Sequence, residues 1–274
     1  MTNNGIHDYD DDYSNYNPHF HIPPTHPRAQ SLLIREMLVD GYRKGLVASE
    51  GLISHGRGEA FDYLLGEKTS SMAQCAIEAA TSALLLSKFP VISVNGNLVA
   101  LCAKNIVELS HLIGAKIEVN LFYRTIKRER LIKRELEHFG AKEVLGVTSN
   151  ASAVIPELQS ERRRVDPNGI MKADTVLVPL EDGDRTEALV KMGKIVVAID
   201  LNPGSRTARS ANITIVDNAI RTIPKMIMVV RYLKDLKRKQ REIVMKRIVK
   251  EYDNQKNLIE SLSVMRGNIK GSQT

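Results

Sequence analysis

Three apolar runs follow one another between residues 175 and 218, and each ends in polar and small residues. Residues 175–180 (TVLVPL) lead into EDGDRT, residues 194–199 (KIVVAI) into DLNPGSR, and residues 212–216 (NITIV) into Asp217 and Asn218. Short β-branched runs of this kind predict buried strands. Further strands are predicted over residues 91–94, 116–121 and 143–147, with helices over 70–88, 98–113 and 125–139 between them. Strands alternating with helices imply parallel β-α-β units. The expected core is therefore an α/β fold, a doubly wound three-layer parallel sheet. Ligands of such sheets sit beyond the carboxyl ends of the strands. Three polar strand ends thus predict one composite site for a charged, phosphorylated small molecule.

The flanks read differently. Residues 1–24 are rich in Asn, Asp, Tyr, His and Pro and poor in aliphatics, which predicts a flexible tail. Its histidines and aspartates match no metal-ligand spacing. Thr25 is placed to cap a first helix with Pro27 in its first turn, and Ile34, Leu38 and Tyr42 recur as its buried face. Residues 51–66 read as a Gly-rich segment. The first 70 residues would then form an N-terminal helical extension beside the sheet. Residues 218–262 look helical and carry no strand signal, so they should pack across the sheet edge or against a second subunit. One α/β domain over 25–262 and a flexible end over 263–274 complete the expected organisation.

Composition narrows the class. The chain has 274 residues, 43% hydrophobic and 26% charged, as in ordinary globular domains. No apolar run approaches the ~20 residues needed to span a bilayer, and the N-terminus has no secretory pattern, so a cytoplasmic protein without a membrane partner is expected. Cys75 and Cys102 make no CxxC or Cys/His spacing and read as small buried apolar residues. The net charge of +7 suits anionic ligands and equally nucleic acid.

Candidate chemistry lies in the polar clusters. Neither GxGxxG nor a Gly-Lys-Ser/Thr loop is present. Asp184, with Glu187 three residues on, reads either as a helix cap or, with Asp182, as a magnesium or substrate contact. Asp200 could accept hydrogen bonds from ribose hydroxyls. Arg206 and Arg209 are solvated side chains or guanidinium forks for phosphate. Arg57 lies between two glycines, in a tight turn or at a close backbone approach to a ligand. Asn97 caps the following helix or, with Asn95, faces a ligand. The basic residues 221–250 read as a solvated helix face, buried on the side of Ile243, Val244 and Ile248. Few aromatics interleave with them, which argues against a nucleic-acid platform.

Taken in order, these clusters resemble the archaeal phosphopantothenate synthetase family, the 4-phosphopantoate–β-alanine ligases. The matching blocks are His26 to Arg28 (HPR), GLI from Gly51, HGRGEAFDYL from His55, SVNGN from Ser93, NLFYR from Asn120, EDGDRTEA from Glu181, DLNP from Asp200 and ITIVDN from Ile213. They span about residues 25–260.

The resemblance implies a Rossmann-like homodimer with N-terminal and C-terminal helical extensions. The implied reaction joins 4-phosphopantoate to β-alanine in coenzyme A synthesis, through an acyl-adenylate, with release of AMP and pyrophosphate. The family's ATP contacts map onto Arg35, Arg57, Asp200, Leu201, Asn202 and Arg206, and onto Thr207, Asn218 and Ala219. Mg2+ would arrive with ATP, held mainly by phosphate oxygens and water, with no dedicated protein metal site. Adenylation needs no protein nucleophile, so positioning and electrostatics would suffice. Arg57, Asp182 and Asp184 are the expected catalytic groups. Asn95, Asn97 and Arg124 are expected to face the pantoate phosphate, because they follow neighbouring strands. The competing classes are a phosphoryl-transfer enzyme, which would yield ADP, and a basic nucleic-acid binder.

Overall fold

A computed structural model describes residues 22–23, 25–180 and 183–271. The expected tail, residues 1–21 and 24, and the candidate Asp182 lie outside the described residues.

The chain begins with three helices, α1 (Ala29–Arg43), α2 (Ser49–Leu65) and α3 (Ser71–Leu86). The α/β part follows as β1 (Pro90–Val94), α4 (Gly96–Ile113), β2 (Lys116–Val119), α5 (Ile126–His138) and β3 (Val144–Leu145). A short antiparallel pair, β4 (Ala153–Val154) and β5 (Arg164–Val165), interrupts it. It resumes with β6 (Thr175–Pro179), α6 (Gly183–Lys191), β7 (Ile195–Ile199), α7 (Arg206–Ser210) and β8 (Ile213–Ile215). Helices α8 (Ala219–Asp235), α9 (Arg238–Glu251) and α10 (Asn254–Gly271) close the chain.

The main sheet has the order β3-β2-β1-β6-β7-β8, with every pairing parallel. This is the doubly wound, Rossmann-like arrangement, with its switch point between β1 and β6. The apolar runs lack alternation because both faces are covered. Leu177, Val197 and Ile199 pack with residues of α3, α4 and α8. Val176, Val178, Val196 and Ala198 face Leu189 of α6 and Ile155, Val165 and Ile170.

Helix starts are set by side-chain caps. Ser70, Thr125, Ser205 and Asn218 cap α3, α5, α7 and α8. At α4 the cap is Asn95, not Asn97: Asn95 Oδ1 accepts from Leu98 N at 3.0 Å.

Several sequence expectations are corrected. Thr25 does not cap α1, because residues 25–28 are occupied by a turn in which Ala29 N donates to His26 O. Ile34 and Leu38 are buried as expected, but Tyr42 is exposed. The segment at 51–66 is helix α2; its glycines allow close packing, since a Cβ on Gly51 would meet Asn97 Oδ1 at 2.3 Å. Cys75 is exposed, whereas Cys102 is buried and its thiol is pushed up to about 12 by desolvation. Ile243 is exposed, and α9 is anchored instead through buried Met245. Beyond Leu262 the chain stays helical to Gly271, because Met265 is buried with Leu65 and Leu258. As expected, the C-terminal segment covers the sheet edge: on edge strand β8, Thr214 N donates to Asn254 Oδ1 at 2.8 Å and Thr214 O accepts from Asn257 Nδ2 at 2.8 Å, while α8 and α9 pack on α3 and α10 on α2. No helix among the described residues is long and apolar enough to cross a membrane.

Candidate active site

The carboxyl ends of β1, β6, β7 and β8 open into one cleft of about 570 Å3, walled on the far side by α2. That volume is ordinary for a small-molecule site, roughly 300–1,000 Å3.

One half is built from the ends of β7 and β8. Asp200 follows β7, and its carboxylate is held by Asn202 N at 2.9 Å and Ser205 Oγ at 2.5 Å. Burial pushes the Asp200 carboxyl up, while those donors and the Arg57 charge oppose the shift. Arg57 comes from α2, is exposed, and lines the same cleft with Asn202, Arg206 and Asn218. Leu201 and Thr207 line it as well, both buried. Ala219 is fully buried in the first turn of α8, behind the capping Asn218.

Arg206 is oriented by two carboxylates of α6. Its Nε and Nη2 donate to Glu187 at 3.2 and 3.0 Å, and its Nη1 lies 2.5 Å from Asp184. Asp184 therefore sits inside the first turn of α6 in an ion pair. The capping-box reading fails because Glu187 is spent on Arg206. Gly183 permits this packing, since a Cβ there would lie 2.3 Å from Arg206 Cβ.

The other half lies beyond β1 and β2. Asn95 and Asn97 line it, and Asn97 Nδ2 donates to Gly51 O at 2.8 Å, tying the start of α2 to α4. Phe122 and Tyr123 expose apolar surface there. Two cations that the sequence reading missed border this half, Arg128 and Arg162. Arg128 is fixed by donating from Nε and Nη2 to Leu46 O and from Nη1 to Tyr123 O. Its place in a helix crowded with Lys and Arg hid it, and Arg162 was hidden in the run of arginines at 162–164. His55 was also missed; it lines the cleft, and desolvation lowers its pKa.

Four expected site residues do not line the cleft: Asp184 and Ala219, placed above, and Arg124 and Arg35. Arg124 is buried and fully engaged, donating from Nε to Glu129, from Nη1 to Arg164 O at 2.9 Å and from Nη2 to Gly146 O at 2.5 Å. Arg35 lies on the side of α2 turned from the cleft, with Nε shared between both Glu59 oxygens at 3.0 and 2.9 Å.

The groups at the ends of β7 and β8 suit a nucleotide: two guanidinium groups and a helix start offer donors to a phosphate chain, and the Asp200 carboxylate offers an acceptor to hydroxyls. Among the described residues no group of three or more His, Cys, Asp or Glu side chains is placed to hold a metal ion.

A parallel sheet with this strand order and a polar strand-end cleft bearing cations defines an α/β protein of the class that binds small molecules beyond the carboxyl ends of its strands. Comparison with known proteins narrows that class. Residues 72–268 match the model of the phosphopantothenate/pantothenate synthetase family. A protein of Thermococcus kodakarensis, named 4-phosphopantoate–beta-alanine ligase, is 53% identical over 246 residues, covering 89% of this chain and 92% of that protein. One of Methanosarcina mazei with the same name is 48% identical over 249 residues, covering 91% and 96%. The chain belongs to the phosphopantothenate/pantothenate synthetase family.

Proposed function

We propose that this protein is a 4-phosphopantoate–β-alanine ligase of coenzyme A synthesis, forming 4-phosphopantothenate from ATP, 4-phosphopantoate and β-alanine. The carrying observation is the cleft with arginines at both ends, in a chain that shares half its residues with relatives bearing that name.

The nucleotide occupies the half at the ends of β7 and β8. Asp200 and Asn202 hold the ribose or adenine. Arg57 and Arg206 neutralise the phosphates as charge develops on the departing pyrophosphate. Mg2+ would arrive with ATP and be held mainly by phosphate oxygens and water, since Asp184 is already paired with Arg206.

The acid occupies the half at Asn95 and Asn97. Arg128 and Arg162 supply positive charge for its phosphate, while Leu121 and Phe122 give its carbon skeleton an apolar wall. The carboxylate of the acid attacks the α-phosphorus of ATP, giving an acyl-adenylate and pyrophosphate. The free amine of β-alanine then attacks the acyl carbon, AMP leaves, and an amide forms. Orientation in a closed cleft supplies most of the acceleration, as expected without a protein nucleophile. A homodimer is part of the proposal, supported by exposed Met228, Tyr232 and Ile243 on α8 and α9.

The test is incubation of the purified protein with Mg-ATP, 4-phosphopantoate and β-alanine, followed by chromatography. AMP with phosphopantothenate, dependent on all three substrates, is the expected result. ADP would overturn the adenylation step, and no turnover would overturn the activity.

A further inference from the structure

A second polar assembly adjoins the nucleotide half, around Asp62 of α2 and next to His55 and Asn218, which line the cleft. The carboxylate of buried Asp62 receives a fork from Arg221, Nη1 to Oδ2 at 3.1 Å and Nη2 to Oδ1 at 2.5 Å. The same guanidinium donates to Asp217 Oδ1 from Nε at 2.9 Å and Nη2 at 2.6 Å. Thr69 Oγ1 donates to Asp217 Oδ2 at 2.7 Å. Asn218 Nδ2 donates to Asp62 Oδ2 at 2.9 Å, while Asn218 Oδ1 caps α8. A cavity of about 10 Å3 beside Asp62 and Arg221, room for about one water, is shared with His55.

One cation between two buried carboxylates is a poor source of stability compared with apolar packing. Its geometry, however, is tightly specified. It joins three elements, α2 through Asp62, the end of β8 through Asp217 and α8 through Arg221 itself. Two of them present cleft residues: α2 carries Arg57 and Gly58, and Asn218 bonds directly to Asp62. The opposite end of α2 is tied separately, by Asn97 to Gly51 O. Each end of the helix is thus registered to a different half of the cleft.

We infer that Arg221 and Asp62 are positioning residues for nucleotide binding, setting the Asn218 amide and the seat of Arg57 without touching ligand. The inference rests on the proposed placement of ATP at the ends of β7 and β8.

The experiment uses the full chain carrying Arg221→Lys or Asp62→Asn. Steady-state kinetics are run for each substrate, with direct ATP titration and thermal melts. The expected result is an apparent ATP affinity weaker by about tenfold or more, as small misplacements produce. The KM values for 4-phosphopantoate and β-alanine should stay within about twofold of wild type, on the scale of affinity changes. A double-mutant cycle of Asp62→Asn with Arg57→Ala should be non-additive for ATP binding, because both act on one contact.

Unchanged ATP affinity in the folded variants, equal rises in all three KM values, or an additive cycle would overturn the inference. Should both variants fail to fold, Thr69→Val removes one outer hydrogen bond. A weaker ATP affinity there supports the inference and an unchanged one overturns it. Asn218→Ala separates the two readings. Loss of ATP binding in Asn218→Ala but not in Arg221→Lys defeats the positioning role alone. Retention of ATP binding in both Asn218→Ala and Arg57→Ala defeats the nucleotide placement itself.

Discussion

Asn95 Nδ2 donates to the carbonyl of Leu180 at 3.2 Å, across the switch point between β1 and β6. The same side chain caps α4 through Oδ1. Leu180 has φ of 56°, a left-handed conformation uncommon for a branched side chain. Asn95 therefore steadies an unfavourable turn at the rim of the cleft. Asn95→Asp keeps the capping acceptor and loses the donor. It should lower thermal stability, because a carboxylate oxygen would then face the Pro179 and Leu180 carbonyls, and should lower kcat/KM about tenfold or more. Asn95→Ala loses both roles and should also cost about 1 kcal/mol of stability. Melting curves beside initial rates check both variants, and equal rates in wild type and Asn95→Asp would refute the assignment.

Arg206 is exposed and its two acidic partners are surface groups, so the pairs add little to stability. Their effect is orientation. Arg206→Ala should melt close to wild type but raise KM for ATP by about ten- to a hundredfold, the loss of one charge-assisted phosphate contact. Asp184→Asn should give a smaller rise, since Glu187 still holds the fork. Titration with ATP at two salt concentrations checks both.

Arg124 follows a strand and resembles a ligand contact in sequence, yet its partners are Glu129 and two backbone carbonyls. Arg124→Met leaves Glu129 buried and uncompensated, a loss of about 3–5 kcal/mol. Any folded fraction should bind phosphopantoate with unchanged affinity. Denaturant unfolding and a binding titration test the two halves of this expectation separately.

Glu118 on β2 is fully buried and accepts from Asp166 N at 3.0 Å and Ile170 N at 2.5 Å. Desolvation pushes its carboxyl up from 4.5 to about 7, against those donors and the Arg185 charge. A carboxyl that binds its proton more tightly when folded stabilises below about 4.5. That contribution is lost as pH rises towards 7, up to about 3 kcal/mol. Melting temperatures between pH 4.5 and 7.5 should show this component, and Glu118→Gln should remove it. A variant retaining the wild-type slope would reject the assignment.

Gly96 begins α4 directly beneath Leu46, where an added Cβ would lie 2.0 Å from the carbonyl oxygen. That oxygen also receives Arg128. Gly96→Ala should therefore destabilise by about 3 kcal/mol or more and displace Arg128 from the acid half. Loss of soluble protein, or a raised KM for phosphopantoate in what remains, is the expected readout.

The strands were legible in the sequence because both faces of the sheet are covered, which turns each strand into an unbroken apolar run ending in polar residues. Asp200, Asn202 and Arg206 were legible for the same reason, being fixed by where β7 stops. Helix α2 was not. Gly51, Gly56 and Gly58 lower its local helical preference, and it forms through packing against Asn97, Leu201 and α10. Side-chain direction was also hidden. Arg124 and Arg128 are four residues apart beside α5, yet only Arg128 borders the cleft. Local sequence does not reveal that Glu129 and the carbonyl of Gly146 receive the Arg124 guanidinium. Tyr42 continued the spacing of Ile34 and Leu38 but is left exposed.

Helix α10 ends the described chain at Gly271 and lies along α2, with Asn268 Nδ2 donating to Leu64 O at 3.0 Å and Met265 buried near Leu65. The helix that brings Arg57 to the cleft is thus braced by residues at the far terminus of the polypeptide. Handling of that terminus becomes a matter of enzymology. Shortening the chain at Leu262, or fusing a bulky carrier tightly against Gly271, should disturb the α2 wall of the candidate active site although the alteration is more than 200 positions away in sequence. An affinity tag belongs after a spacer, and a C-terminally trimmed preparation reports on a different catalyst.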